Sequence, residues 1–329
     1  MNKEIGWGII GLGNIAHAFV KDLKLVEGIS LTAVASRSVD KAAAFASLYG
    51  AEQHYGNYEA LMKNPEVDIV YIATPHDSHA DLSIKAMEHG KHVLCEKPLA
   101  VNAAQVSKMI NIARQKGVFF MEAFWTRFNP TFEACLKLVN EGAIGTVNYI
   151  NADFSFLRND PVDSRMLNMD LAGGSLLDMG VYPVFLAYSI LGMPIDIKAT
   201  ATFHNTGADL QTSALLKYKG GIALIMSGFK SQSDMTAKIY GTEGRIYLKP
   251  YWHETQGYTL IKGNDGKEVK SEHTLPTIGK GFTYEIRECI QCILNEQQES
   301  TKWSWQNSLD LITIVDGIRK QTNLHYPFE

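Results

Sequence analysis

The first third of the chain alternates short apolar stretches with longer segments of helical spacing. Ile5 to Ile10, Leu31 to Ala35, Ile69 to Ala73, His92 to Leu94 and Val118 to Met121 read as strands that are apolar on both faces. Segments such as Asn102 to Lys116, between them, repeat at the spacing of a helix. Strands with no polar face must be covered on both sides. The pattern up to about Glu122 therefore predicts a doubly wound parallel sheet with helices on each face.

The texture changes after Phe124. A helical FNPTFEACLKLVNEG precedes an alternating run over Val147 to Phe156, and another helix is predicted over Ser175 to Leu191. Strands follow in succession over Ile195 to His204, Ser213 to Tyr218, Gly221 to Phe229, Thr236 to Tyr240 and Arg245 to Leu248, joined by turns such as GTEG. Helical patterns over Phe282 to Gln297 and Trp305 to Gln321 close the chain. The expected fold is α/β. It pairs an N-terminal Rossmann doubly wound parallel sheet over 1–122 with a C-terminal α/β domain over 123–329, whose large open sheet is mostly antiparallel or mixed.

Bulk properties narrow the function. With 329 residues and a net charge of -4, the chain can bury a large core and shows no footprint for nucleic acid. Four scattered cysteines, Cys95, Cys135, Cys289 and Cys292, are too few for a disulfide framework and suit a reducing compartment. Cys289 and Cys292 form C-x-x-C inside a helical pattern, which favours packing over redox or metal work. The start of the chain lacks the long apolar stretch of a secretory signal, and no window is read as a membrane span. A soluble, cytoplasmic protein is expected, with no membrane or nucleic-acid partner.

Chemistry concentrates at strand ends. GLGNIA, residues 11–16, follows the first strand: Gly11 permits a tight turn, Gly13 lets a pyrophosphate approach, and Asn14 and Ile15 open a helix whose N–H groups face the phosphates. The second strand ends in AVASRS, where an NAD site would carry an acid; Ser36, Arg37 and Lys41 favour a 2'-phosphate instead. NADP(H) is thus preferred, with NAD(H) the alternative. Thr74, Pro75, His76 and His79 lie in ATPHDSH at the end of another strand. With no third ligand at suitable spacing, the two histidines read as polar residues beside a cofactor rather than as a metal pair. Glu96, Lys97 and Pro98 end the next strand, and proline aims Lys97 out of the ladder, with the isomer of the Lys97–Pro98 bond open. Farther on, AGGSLLDMGVYP sets Asp178 and Tyr182 four apart, on one stripe of a helix.

Taken together, GLGNIA, AVASRS, TPHDSH, GKHVLCEKPLA and GGSLLDMGVY resemble the family of glucose-fructose oxidoreductase, inositol dehydrogenase and MocA-like oxidoreductases, over essentially the whole chain. MEAFWTRFNP and Tyr182, where many relatives have His, are most similar to the branch containing dimeric dihydrodiol dehydrogenase and NADP-dependent D-xylose dehydrogenase. The resemblance implies an NADP-dependent dehydrogenase or reductase acting on a hydroxyl or carbonyl carbon of a sugar, polyol or trans-dihydrodiol. It assigns Lys97, Tyr182 and Asp178 to the reaction centre, with Asp178 holding substrate or positioning its neighbours and Lys97 also beside the cofactor. Glu96 and Arg165 go to the cofactor, Arg165 with substrate as an alternative, and Trp125 and Arg127 to the substrate pocket or a domain interface. A homodimer or homotetramer through the C-terminal sheet is implied as well. Two other functions share the scaffold: a dinucleotide-sensing regulator without turnover, and a reductase of a non-sugar substrate.

Overall fold

The computed structural model describes residues 4–159, 161–264 and 266–329. Its first elements are β1 (Ile5–Ile10), α1 (Asn14–Leu23), β2 (Ile29–Ala35), α2 (Val39–Tyr49), β3 (Gln53–Tyr55), α3 (Tyr58–Met62), β4 (Ile69–Ile72), α4 (His79–Glu88), β5 (His92–Glu96), α5 (Ala103–Lys116) and β6 (Phe120–Ala123). The strands pair in the order β3-β2-β1-β4-β5-β6, every pair parallel. The order reverses between β1 and β4, so the crevice outside their carboxyl ends is where such sheets take ligands. β1 and β4 are buried throughout, as a sheet covered on both faces requires. β3 was not expected: three residues, two of them exposed, leave no apolar pattern to read.

Local chemistry sets the helix ends. Asn102 caps α5 by accepting from the Gln105 N–H at 2.9 Å, and Gly117 ends it in the left-handed region at φ 65°.

The next elements are α6 (Pro130–Asn140), β7 (Val147–Ser155), a π-helical turn over Leu176–Gly180, α7 (Val181–Leu191), β8 (Asp196–Phe203), β9 (Asp209–Lys217), β10 (Ile222–Gly228), β11 (Ala237–Gly241), β12 (Gly244–Leu248), β13 (Gly257–Lys262) and β14 (Val269–Thr274). This sheet runs β14-β13-β12-β11-β7-β10-β9-β8, with β7 and β10 parallel and the other neighbours antiparallel. It is the open, mixed sheet expected. β13 and β14 escaped the sequence reading, because β13 is buried over five successive residues and β14 carries mostly polar ones. The chain ends with α8 (Thr283–Leu294) and α9 (Trp305–Thr322).

Two compact units result: Met1–Trp125 with Ile278–Leu309, and Thr126–Thr277 with Asp310–Glu329. A single boundary after residue 122 does not capture the returning segment. Its place in the first unit is fixed at long range. The Asp22 carboxylate accepts from the N–H groups of Lys280, Gly281 and Phe282 at 2.8 to 2.9 Å, and Trp305 Nε1 donates to the Phe120 carbonyl at 2.9 Å.

Two sequence expectations are refined. The run Met169–Leu191 is long and apolar enough to span a membrane, against the reading that no window is, but 78% of its apolar window is buried inside the protein and it serves as core. Cys289 and Cys292 are both buried, and burial pushes the Cys292 thiol up to about 11, far from a reactive thiolate.

Candidate active site

The nucleotide end follows from β1. Gly11 has φ +88°, and a Cβ there would lie 2.6 Å from the Ala73 carbonyl, so the protein's own packing demands glycine. Gly13 differs. A Cβ there would meet nothing within 4 Å, and Gly13 starts α1 without a side-chain cap. The space above the first N–H groups of α1, lined by Asn14 and Ile15, therefore fits a pyrophosphate. Ser36, Arg37 and Lys41 lie just past β2, with Arg37 and Lys41 exposed. Arg37 is near enough to Asp77 to draw its carboxyl down, although burial of that carboxyl dominates and pushes it up. The donor set around Arg37 fits a 2'-phosphate. Thr74 and Pro75 are half-buried at the end of β4, where Thr74 Oγ1 accepts from Ser78 at 2.9 Å.

At the end of β5 the Lys97–Pro98 peptide is cis. From Val93 to Val101, Lys97 is the one residue that is not buried. Its neighbours hold the turn. His79, 0% exposed, sets Nδ1 2.9 Å from the Pro98 carbonyl and Nε2 2.9 Å from the Thr74 carbonyl. Glu122, also buried, accepts from the Leu99 N–H at 2.9 Å, from Trp303 Nε1 at 3.0 Å and from Ser308 Oγ at 2.7 Å. Glu96 accepts from the Tyr71 hydroxyl at 2.5 Å and the Lys97 N–H at 3.2 Å, and burial pushes its carboxyl up despite the adjacent Lys97. The polar atoms of His79 and Glu96, both expected on the cofactor, are thus engaged by the protein itself.

The second unit repeats the pattern in a helix. From Ala172 to Tyr188 the one residue not buried is Asp178. Arg165 Nη2 donates to Asp178 Oδ1 at 3.0 Å, a pairing not foreseen by the placement of Arg165 on the cofactor or substrate. Asp178 stands in the π-helical turn and Tyr182 in α7, so the regular four-residue stripe expected of them is broken: hydrogen bonds in the turn close five residues apart. Tyr182 is 5% exposed, with its ring 5.2 Å from those of Phe154 and His253 and 6.5 Å from that of Trp252.

Phe154, Trp252 and His253 were missed. Trp252 and His253 sit in a short turn after Tyr251, fixed by Trp252 Nε1 donating to the Asp153 carbonyl at 3.0 Å; only the isolated WHE in a polar stretch could have flagged them. The pocket candidates Trp125 and Arg127 share one short 3-10 turn, Trp125–Phe128; Trp125 stacks on Phe282 at 4.6 Å, and Arg127 pairs with Glu133.

Comparison with known proteins follows this geometry. The model of the oxidoreductase family with an NAD-binding Rossmann fold matches residues 5–124, and the GFO/IDH/MocA C-terminal domain matches 132–247. Trans-1,2-dihydrobenzene-1,2-diol dehydrogenase from Xenopus laevis is 35% identical over 98% of this chain and 99% of its own. The mouse protein of that name is 34% identical over 98% of both. Among solved structures, a 3-ketoreductase from Actinomadura kijaniata in complex with NADP and TDP-benzene superposes with TM-score 0.88 at 27% identity, covering 97% of this chain and 98% of that one. An aldose-aldose oxidoreductase from Caulobacter crescentus complexed with glycerol gives 0.87 at 25% identity, covering 98% of each.

Proposed function

The chain belongs to the GFO/IDH/MocA oxidoreductase family, and from that premise we propose that it interconverts a hydroxyl and a carbonyl on a sugar, polyol or trans-dihydrodiol, with NADP(H) preferred. It is an NAD(P)-binding oxidoreductase acting on CH–OH groups. One observation carries the finer reading. Lys97 and Asp178 are each the single partly open residue in a long buried run, and they fall in the two motifs that the chemistry needs.

The cofactor, when bound, supplies hydride transfer; the chain supplies everything about protons and charge. Alcohol oxidation releases the hydroxyl proton, and a phenol with an ordinary pKa of about 10 is a poor base at neutral pH without a cation. Lys97 and Tyr182 are therefore assigned as the acid/base and charge-stabilising groups, with Lys97 carrying the positive charge. Asp178 orients donors and, through Arg165, is itself held in place. Phe154 and Trp252 beside Tyr182 favour a substrate with an apolar face. Gly13, Asn14, Ile15, Ser36, Arg37 and Lys41 are assigned to NADP. Self-association through the outer face of the second sheet belongs to the same reading: Leu224 is 37% exposed there beside Asp153 and Lys198, and both charge signs on one face suit a contact between identical patches.

The test is a panel of aldoses, polyols and trans-dihydrodiols assayed by nicotinamide absorbance with each cofactor. Turnover of at least one class with NADP(H) is expected. Tight NADPH binding with turnover of none would favour a dinucleotide-sensing regulator.

A further inference from the structure

Asp209 opens β9 and is 0% exposed. Its Oδ2 accepts three hydrogen bonds, from Ser175 Oγ at 2.7 Å, Thr212 Oγ1 at 2.7 Å and the Leu176 N–H at 2.9 Å. Its Oδ1 has no hydrogen-bond partner. Gly174, at φ +128°, leaves that oxygen its room: a Cβ on Gly174 would lie 2.1 Å from it. Ser175 Oγ also lies 3.0 Å from Ser227 Oγ in β10. Two residues before Ser175, the Gly173 carbonyl accepts from the Tyr326 hydroxyl at 3.3 Å, and the Tyr326 ring lies 4.8 Å from the Arg319 guanidinium.

Three of the four residues from Gly173 to Leu176, a segment that ends two residues ahead of Asp178, are thus hydrogen-bonded to Asp209 or Tyr326, and the fourth, Gly174, has no Cβ to crowd Asp209. Ser175, at the head of the π-helical turn, makes no cap of its own to that turn. The carboxylate of Asp209 takes the first free N–H instead, a favourable place for an acid at a helix start. A buried acid with one oxygen unpaired is an expensive cap where a serine or asparagine would serve, and burial pushes this carboxyl up. Such cost without local need points to a demand on geometry.

We infer that Asp209 is a positioning residue: it fixes the backbone of the glycine turn, and through it the placement of Asp178 and Tyr182, with Tyr326 as a second support. This rests on the functional reading above, which alone makes Asp178 and Tyr182 reacting groups.

The test compares Asp209→Asn and Tyr182→Phe with the unaltered protein by amide hydrogen exchange over residues 173–182, kcat, KM and NADPH affinity. Asp209→Asn should speed exchange in that segment by about tenfold and lower kcat by about tenfold, leaving KM and NADPH affinity within roughly twofold. Tyr326→Phe should do the same by about threefold. If Tyr182→Phe is inactive yet Asp209→Asn exchanges and turns over normally, the inference falls and the functional reading stands. If Tyr182→Phe keeps full turnover, the functional reading falls, and the positioning role falls with it. Should Asp209→Asn fail to fold, Ser175→Ala removes one hydroxyl donor and carries the same test at about threefold, with the same overturning result.

Discussion

The turn that carries Lys97 and the turn that carries Asp178 solve one problem in two ways. Each holds a single partly open residue in a run that is otherwise buried. The Lys97 turn sits at the end of a parallel strand, and its backbone is gripped by His79 from 19 residues away and by Glu122 from 23. The Asp178 turn is gripped by Asp209 from 33 residues away and by Tyr326 from 153. The first is held mainly by titratable side chains of α4 and β6, the second by one carboxylate, hydroxyls and glycines that let side chains approach. Both turns are held by buried side chains, the Lys97 turn from 19 and 23 residues away and the Asp178 turn from 33 and 153.

The largest expected effect tests whether the Lys97 side is the chemical one. Lys97→Met should lower turnover by roughly a thousandfold while leaving NADPH affinity within about threefold, because the ammonium is assigned to developing charge rather than to binding. Turnover retained in that variant would remove the assignment. Next in size, Arg37→Ala should weaken NADPH binding by roughly ten- to a hundredfold and leave NADH binding unchanged. Equal loss for both cofactors would show that Arg37 does not read the 2'-phosphate.

The smallest effect sharpens the contrast in stability. Glu285, in α8 of the first unit, is 0% exposed with both carboxyl oxygens unpartnered. Burial first, then the negative charges of Glu96 and Asp22, push its pKa well above 4.5. The sign follows directly. A carboxyl whose folded pKa is raised keeps its proton in the folded state after the unfolded chain has lost it, so folding stability falls as pH rises from about 4.5 through the folded value. Glu285→Gln removes that penalty. Its urea midpoint should match the unaltered protein near pH 4 and exceed it increasingly toward pH 8, measured by tryptophan fluorescence. A difference of the same size at both pH values would contradict the account.

What was legible in the sequence divides along the same line. The glycine turn after β1, the Arg37 loop, the Lys97 turn and the Asp178 helix could all be read, because each is a short string of residues whose types dictate a local backbone. β1 matches its expected limits, since an unbroken apolar run ended by Gly11 leaves no other choice. The supports could not be read. Nothing near Asp22 announces that it caps a segment more than 250 residues on, and Asp209 looks like the polar start of any strand. Phe154 and Trp252 reach Tyr182 through sheet topology, and the π-helical turn departs from the regular helical spacing that periodicity reads.

The central claim is that Lys97 and Tyr182 serve one chemical step, and a double-mutant cycle on kcat tests it most directly. Lys97→Met, Tyr182→Phe and the double variant are compared on the best substrate. If the two groups act as one unit, the double variant loses about as much as the worse single one. Losses that multiply would show two independent contributions and contradict the account.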